Sequence, residues 1–419
     1  MKILYLCPDL GIPLLGRKGA AVHVRSLVAA LGRAGHSVLV AGPTLTRSPW
    51  EEPATLGMPV LHMPPGATAT AAVLALKAFN ETLGVDNSLP GELRRILYNE
   101  DLGRDLKLRL ASNPPDVIYE RASLYATAGV SLAHELNRPL LVELNAPLAI
   151  EQAAYRATGL GELAAQAERW TLTHADAVLA VSAPLREHAV SLGVEPGRVH
   201  VVPNGVDAAL FRPGPPDPEV RARLGLGEGP ILGFVGGLRP WHGVEALPAL
   251  LGRLARRYPG VRLVVVGEGP LRATLAGELR ERGLAESAVF SGALPHEAVA
   301  DLIRQFDVAL APYPRPDHAF YFSPLKLFEY MACGVAVVAA GLGQIAEVVR
   351  HGTTGLLYPP GDLDALATAC DRLLGDPDLR RRLGRAAAQE IRARYTWDHN
   401  AARVAELARA LVAARAGAT

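Results

Sequence analysis

Short runs of aliphatic and β-branched residues alternate along this chain with longer Ala- and Leu-rich stretches whose apolar positions recur at helical spacing. In the first half the short runs are "KILYLC", "SVLVAG", "DVIYE", "PLLVEL" and "AVLAVS", and a helix is expected from about His23 to Ala34. In the second half they are "ILGFVGGL", "VRLVVVGEG", "AVFSGAL", "DVALAPY", "VAVVAA" and "TGLLYPPGD". Runs that are apolar throughout predict strands buried on both faces, and their alternation with helices predicts parallel sheets wound on both sides. The prolines and glycines of "VHVVPNGVDAALFRPGPPDPEV" separate the two halves, with the cut between Gly205 and Pro216. Ala67 to Leu110 shows no clear strand pattern and reads as helices and loops inserted near the top of the first sheet, a place suited to specificity. After Asp362 the pattern is mostly helical to the end.

Composition narrows the partners. A chain of 419 residues fits two domains of about 200 residues each. Its 43 basic and 42 acidic residues nearly cancel, so the global field gives no reason to expect nucleic acid and favours a small ligand. Cys7, Cys333 and Cys370 are far apart and match no metal spacing, which points to a reducing, cytoplasmic setting with thiols as small core residues. The first apolar run ends at Pro8 and Asp9, short of a signal-peptide core or a membrane span. Arg380, Arg381, Arg382 and Arg385 read as a solvated basic face, with membrane contact the lesser alternative.

Four loops lie where a strand ends and a helix begins, the place where open α/β sheets bind ligands. The first, "PLLGRKGAAVHV", offers Gly16 and Gly19 beside two cations. "FVGGLRPWHGVE" combines Gly236, Gly237, Arg239, Trp241, His242 and Gly243, and glycines for close backbone approach beside a guanidinium suit a diphosphate clamp. "VVGEGPLR" places Gly267, Glu268 and Gly269 at the next strand end. The fourth, "FYFSPLKLFEYMACGVAVVAA", reads as a helix with Ser323 as N-cap, Pro324 first inside it, Gly334 at its end and a buried strand after it. Its open N-terminus and Lys326 suit a phosphate, and Glu329 suits sugar hydroxyls. Each loop also has a purely structural reading as a tight turn or an ordinary cap. Elsewhere, Glu143 and Asn145 end the run "LVELN", Glu120 and Arg121 follow "DVIY" as a pair that can bond to each other, and His23 follows the first glycine loop. Asp362 and Asp364 read as helix caps rather than metal ligands.

Taken as a set and in order, "FVGGLRPWHGV", "VVGEGP", "SGALPHEAV", "DVALAPY", "SPLKLFEYMACGVAVVAA", "GQIAEVV" and "HGTTGLLYPPGD" resemble the nucleotide-sugar-binding half of the GT-B retaining glycosyltransferases, family 4. The resemblance implies two Rossmann-like doubly wound domains facing a cleft, an acceptor-binding domain over residues 1–204 and a donor-binding domain over 205–395. It also implies that a final helix, 396–419, crosses back to the first domain. It assigns the donor diphosphate to backbone N–H groups of Ser323, Pro324 and Leu325, where proline can offer none, and to Lys326 beside them, and it gives Glu329 the ribose-binding place of the second glutamate in the family's E-x7-E motif. The first glutamate of that motif is replaced by Tyr321. The usual arginine and lysine of the first loop are replaced by Gly237 and His242, so Arg239 is expected to take the phosphate role with His242 assisting.

The implied activity is metal-independent transfer of a sugar from a UDP- or GDP-type donor to a small-molecule or glycan acceptor, with retention of configuration. Arg239 and Lys326 are the expected catalytic cations. Gly236, Gly237, His242, Gly267, Glu268, Ser323, Pro324, Leu325 and Glu329 are the expected donor site, and His23, Glu143 and Asn145 the expected acceptor site. No cofactor, metal or nucleic acid is expected, and the protein is expected as a monomer or homodimer. Two rival readings fit the same residues: an epimerase or phosphorylase on the same fold, and a two-lobed sugar- or nucleotide-binding protein without catalysis.

Overall fold

The structure, a computed structural model, describes residues 1–46, 56–155 and 158–417. It divides into two compact units, Met1–Pro203 with Asn400–Thr419, and Asn204–His399. The first is built on a parallel sheet of β1 (Lys2–Leu6), β2 (Ser37–Gly42), β3 (Val60–His62), β4 (Val117–Arg121), β5 (Leu140–Leu144), β6 (Ala177–Ala180) and β7 (Val199–Val201), in the order β3-β2-β1-β4-β5-β6-β7. The second has β8 (Ile231–Val235), β9 (Arg262–Val266), β10 (Ala288–Gly292), β11 (Val308–Ala311), β12 (Ala336–Ala340) and β13 (Leu356–Tyr358), in the order β10-β9-β8-β11-β12-β13. Every pairing is parallel.

Both sheets wind outward in one direction and then restart on the other side of their first strand. That leaves a topological switch point between β1 and β4 in one unit and between β8 and β11 in the other, where the loops leaving the two strands diverge and open a crevice. The central strands β4, β5, β6, β11 and β12 are buried at every position, as their unbroken apolar runs require when helices cover both faces.

Every strand run quoted above forms a strand. The first sheet also contains β3, which no apolar run announces: it is three residues at an edge, flanked by prolines, too short to carry a periodicity. The inserted segment is two helices, Ala67–Leu83 and Leu89–Leu110. The second unit begins at Asn204, because Asn204 is bonded to Ser323 and Val206 bridges Thr396. The last helix, Trp397–Ala416, starts among residues of the second unit and from Asn400 onward belongs to the first. There Asn400 donates to the Pro203 carbonyl at 2.8 Å and Arg415 holds Asp176 at 3.0 and 3.1 Å. Asp362 caps helix Leu363–Gly375 through the Ala365 N–H, as its position after "YPPG" implies. On the basic face, Arg380 pairs with Asp307 at 2.9 Å and Arg381 with Asp378. No helix among the described residues is long and apolar enough to cross a membrane.

Candidate functional site

At the switch point of the second sheet, helix Leu325–Ala332 directs Lys326 back over the strand ends. Its Nζ lies 4.4 Å from the centre of the Phe234 ring, at the end of β8, and 5.2 Å from that of Tyr313, just after β11. The residue is only 7% exposed, and among the described residues Nζ has no hydrogen-bond partner. Burial therefore pushes its pKa down from the ordinary lysine value to about 7, while Glu329 one turn further on acts in the opposite direction. The glycine at 236 is required by this arrangement: its φ is +142°, and a Cβ there would stand 2.7 Å from Nζ.

The glycine loops themselves are clamped together. Gly236 donates to Val266, Leu238 donates to Glu268, and a Cβ on Gly267 or Gly269 would collide with the backbone of Gly236 or Leu238. These glycines are thus fixed by backbone-to-backbone contact, which leaves Gly237 as the one with room, since nothing lies within 3.7 Å of its missing Cβ. His242 donates its Nδ1–H to the Gly237 carbonyl across 2.6 Å and sets its ring edge-on to Tyr313. Burial and the neighbouring Lys326 push its pKa down to about 3, so it is a neutral imidazole. Arg239 stands apart from this cluster. It is exposed, and its guanidinium lies 5.2 Å from the centre of the Trp241 ring. Glu268 is half-exposed and pairs with Arg272 at 2.6 Å.

The start of the helix differs from the sequence expectation. Pro324 is the N-cap residue, Leu325 the first helical one, and no side chain caps the end. Ser323 is held elsewhere: its hydroxyl accepts from the Asn204 N–H at 2.9 Å and its carbonyl from the Asn204 side chain at 2.6 Å. The helix therefore opens with uncapped N–H groups next to a buried amine. Cys333 closes it and Gly334 follows at φ +74°. Glu329, in its middle, is buried, and its Oε1 meets His296 Nε2 at 2.7 Å. Tyr321, at the place of the absent first glutamate, is also buried, with its ring against those of His318 and Phe322.

In the first unit the expected acceptor residues do come together, on one carboxylate. Glu143 is bonded to His23 Nε2 at 2.9 Å, to the Tyr119 hydroxyl at 2.5 Å, to Arg121 at 2.6 Å and to Asn145. Burial alone would raise the Glu143 pKa, but His23, Arg121 and Tyr119 outweigh it and hold the carboxyl well below the usual range. Arg121 thus pairs with Glu143 and not with Glu120. Glu120 is fully buried against Gly129, neither of its oxygens has a partner among the described residues, and burial pushes its pKa up to about 8. In the first glycine loop, Gly16 makes a tight turn against Pro13 and its carbonyl accepts from Arg25 at 2.6 Å, whereas Gly19 is the first residue of helix Gly19–Arg33.

Sequence reasoning missed Phe234, Tyr313, Asn204 and His296. The last carries a signal only as the histidine of "GALPHEAV", a position whose partner lies 33 residues away in the chain.

Comparison with known proteins gives a consistent picture. The family described as "Glycosyl transferases group 1" matches residues 229–376 and "Glycosyltransferase Family 4" matches residues 17–210. A glycogen synthase of Mycobacterium tuberculosis is 28% identical over 397 residues, covering 93% of this chain and 90% of its own. A D-inositol 3-phosphate glycosyltransferase of Acidothermus cellulolyticus is 34% identical over 286 residues, 65% of this chain and 60% of its own. Among solved structures, sucrose-phosphate synthase from Thermosynechococcus elongatus superposes with a TM-score of 0.74 at 24% identity over 99% of this chain and 100% of that one. HepE of Anabaena, solved in complex with UDP and glucose, gives 0.72 at 19% identity over 98% and 100%. At such identities these two share the fold.

Proposed function

Because this chain belongs to the group 1, family 4 glycosyltransferases of the GT-B fold, we propose that it moves a sugar from a nucleoside diphosphate donor to a hydroxyl-bearing acceptor, without a metal and with retention of configuration. The observation that carries the reading is the buried Lys326 ammonium, unpartnered among the described residues at the β8/β11 switch point beside an uncapped helix start. A diphosphate supplies what that environment lacks: an anion for Nζ and acceptors for the first N–H groups of helix Leu325–Ala332. HepE, which shares the fold, was solved with UDP and glucose, in keeping with this class of ligand.

The chemistry then follows from charge. Breaking the bond between the anomeric carbon and the diphosphate builds negative charge on the leaving oxygen, and an ammonium already fixed in a desolvated site stabilises that charge without reorganising. Glu329 binds the ribose, and the glycine loops admit the phosphates close to backbone. Arg239 reaches the outer phosphate only by leaving Trp241, and His242, a neutral ring whose one N–H is given to the Gly237 carbonyl, shapes the glycine loop rather than adding charge. The first unit takes the acceptor, with Glu143 serving as the hub that keeps Tyr119, Arg121 and His23 in place. Retention fits reaction on one face of the sugar, the departing phosphate taking the acceptor proton.

A second reading, a binding protein without turnover, has one observation behind it: a single buried amine faces the diphosphate site while Arg239 lies exposed on Trp241. Incubation with UDP-, GDP-, ADP- and dTDP-sugars in excess EDTA separates the two. Transfer or slow hydrolysis, with the product's anomeric configuration read by NMR, supports the enzyme. Tight binding with no turnover over hours supports the binder.

A further inference from the structure

The Glu329 carboxylate is not free to choose its geometry. His296 is the first residue of helix His296–Ile303, whose Val299, Ala300, Leu302 and Ile303 are buried, so its backbone is anchored to the core. The imidazole packs 4.9 Å from the buried Phe211 ring, centre to centre, and its Nε2 meets Glu329 Oε1 at 2.7 Å. Among the described residues Oε2 has no hydrogen-bond partner. The carboxylate is therefore oriented by one oxygen and offers the other, on the same helix face as Lys326 one turn earlier.

We propose that His296 is a positioning residue for donor recognition: it fixes Glu329 by Oε1 so that Oε2 stands as the acceptor for one ribose hydroxyl, and it thereby sets a preference for ribonucleotides over their deoxy counterparts. The inference rests on the donor-site reading above and deepens it. A glutamate side chain has several rotatable bonds, and each conformer that does not face the ribose dilutes the productive one. Holding it in advance removes that cost from binding, and for a single rotamer-rich side chain this is worth roughly three- to tenfold in affinity. It also converts a group able to follow either hydroxyl into one that discriminates, because an oxygen placed for a hydroxyl is left without a partner when that hydroxyl is missing.

The test uses the full-length chain and calorimetric affinities for UDP, GDP and ADP and for their 2′-deoxy and 3′-deoxy forms. The variants are His296→Phe, which keeps a ring on Phe211 but removes the N–H, His296→Gln, which retains a donor, Glu329→Gln, and the double variant His296→Phe/Glu329→Gln, each with a melting curve. The wild type is expected to prefer the ribo form at one hydroxyl. His296→Phe should shrink that preference roughly three- to tenfold, His296→Gln should largely restore it, and adding His296→Phe to Glu329→Gln should change little further. A preference unchanged in folded His296→Phe, or a His296→Phe change that costs as much in the Glu329→Gln background as in the wild type, overturns the inference while leaving the donor site intact. A wild type that binds these nucleotides with no ribo preference overturns it as well. Failure of all three nucleoside diphosphates to bind the wild type overturns the donor reading itself, and this inference with it.

Discussion

Lys326 Nζ stands 4.4 Å from the centre of the Phe234 ring with no hydrogen-bond acceptor among the described residues to meet it. The ring face attracts the ammonium weakly, but it cannot replace the water that burial removed. An anion brought to this amine therefore meets a head group that no hydrogen bond among the described residues has satisfied.

Replacing this amine should separate function from folding. Lys326→Met keeps the aliphatic stem against Phe234 and Tyr313 and removes an unpaired polar head, so the melting temperature should stay level or rise. Loss of a charge-assisted contact to the leaving group should cost about 2–4 kcal/mol of transition-state stabilisation, or roughly 30- to 1000-fold in kcat/KM. Melting curves and steady-state kinetics on the same preparations check both halves.

The pH dependence follows from the sign of the same shift. The folded Lys326 pKa, about 7, lies below that of an unfolded lysine, so between pH 7 and pH 10 the unfolded chain binds more protons. Lys326 should therefore add stability as pH rises through that window, by up to about 1.4 kcal/mol per unit, and add no slope below it. Affinity for an intact nucleotide-sugar should move the other way, weakening toward tenfold per unit above pH 7 because the anion selects the protonated amine. In Lys326→Met both dependences should flatten, as read by denaturation midpoints and calorimetry from about pH 6 to about pH 9.

Glu143→Gln tests whether the first-unit cluster is framework or acceptor contact. The substitution leaves Arg121 buried beside a neutral amide and breaks up the bonds from His23, Tyr119, Arg121 and Asn145 that converge on one carboxylate. Such a loss should cost about 3–5 kcal/mol in stability. A variant that unfolds at the wild-type midpoint yet loses acceptor use would show instead that Glu143 touches the acceptor directly.

Much of the fold was legible because parallel strands buried on both faces leave continuous apolar runs, whereas the strand order that makes the two switch points is set by pairing between distant segments and left no mark in the sequence. The short edge strand β3 left no such mark. At the site, the sequence placed Lys326 and Glu329 on one helix but could not show what surrounds them. Phe234, Tyr313 and His296 reach the site from β8, the loop after β11 and the helix after β10, contacts created only by the sheet order. Ser323 illustrates the limit in the other direction. Its local pattern is that of an N-cap, yet Asn204, 119 residues away, takes its hydroxyl. Glu120 and Arg121 were adjacent candidates for each other, but successive residues of β4 point to opposite faces, so Arg121 meets Glu143 across the sheet and Glu120 faces helix Ala128–Leu136.

That orientation leads to a separate prediction for Glu120. Burial raises its pKa to about 8, above the unfolded carboxyl, so the native state keeps a proton that the unfolded chain has released. Its contribution to stability is complete below about pH 4 and declines as pH rises toward 8, by up to about 1.4 kcal/mol per unit. Glu120→Gln should remove that decline, seen as a smaller loss of melting temperature between about pH 5 and about pH 8. Gly129→Ala, whose Cβ would stand 1.5 Å from Glu120 Oε2, should be strongly destabilising at every pH.

In the proposed function the Lys326 site binds a nucleoside diphosphate-sugar and promotes departure of the nucleoside diphosphate. The most direct measurement is the release of nucleoside diphosphate from UDP-, GDP-, ADP- and dTDP-sugars, with excess EDTA, by the wild type and by folded Lys326→Met. The wild type is expected to release nucleoside diphosphate from one of these donors, and Lys326→Met to do so at least roughly 30-fold more slowly. Equal release by both proteins, or binding of every donor without release by either, would contradict the proposed function.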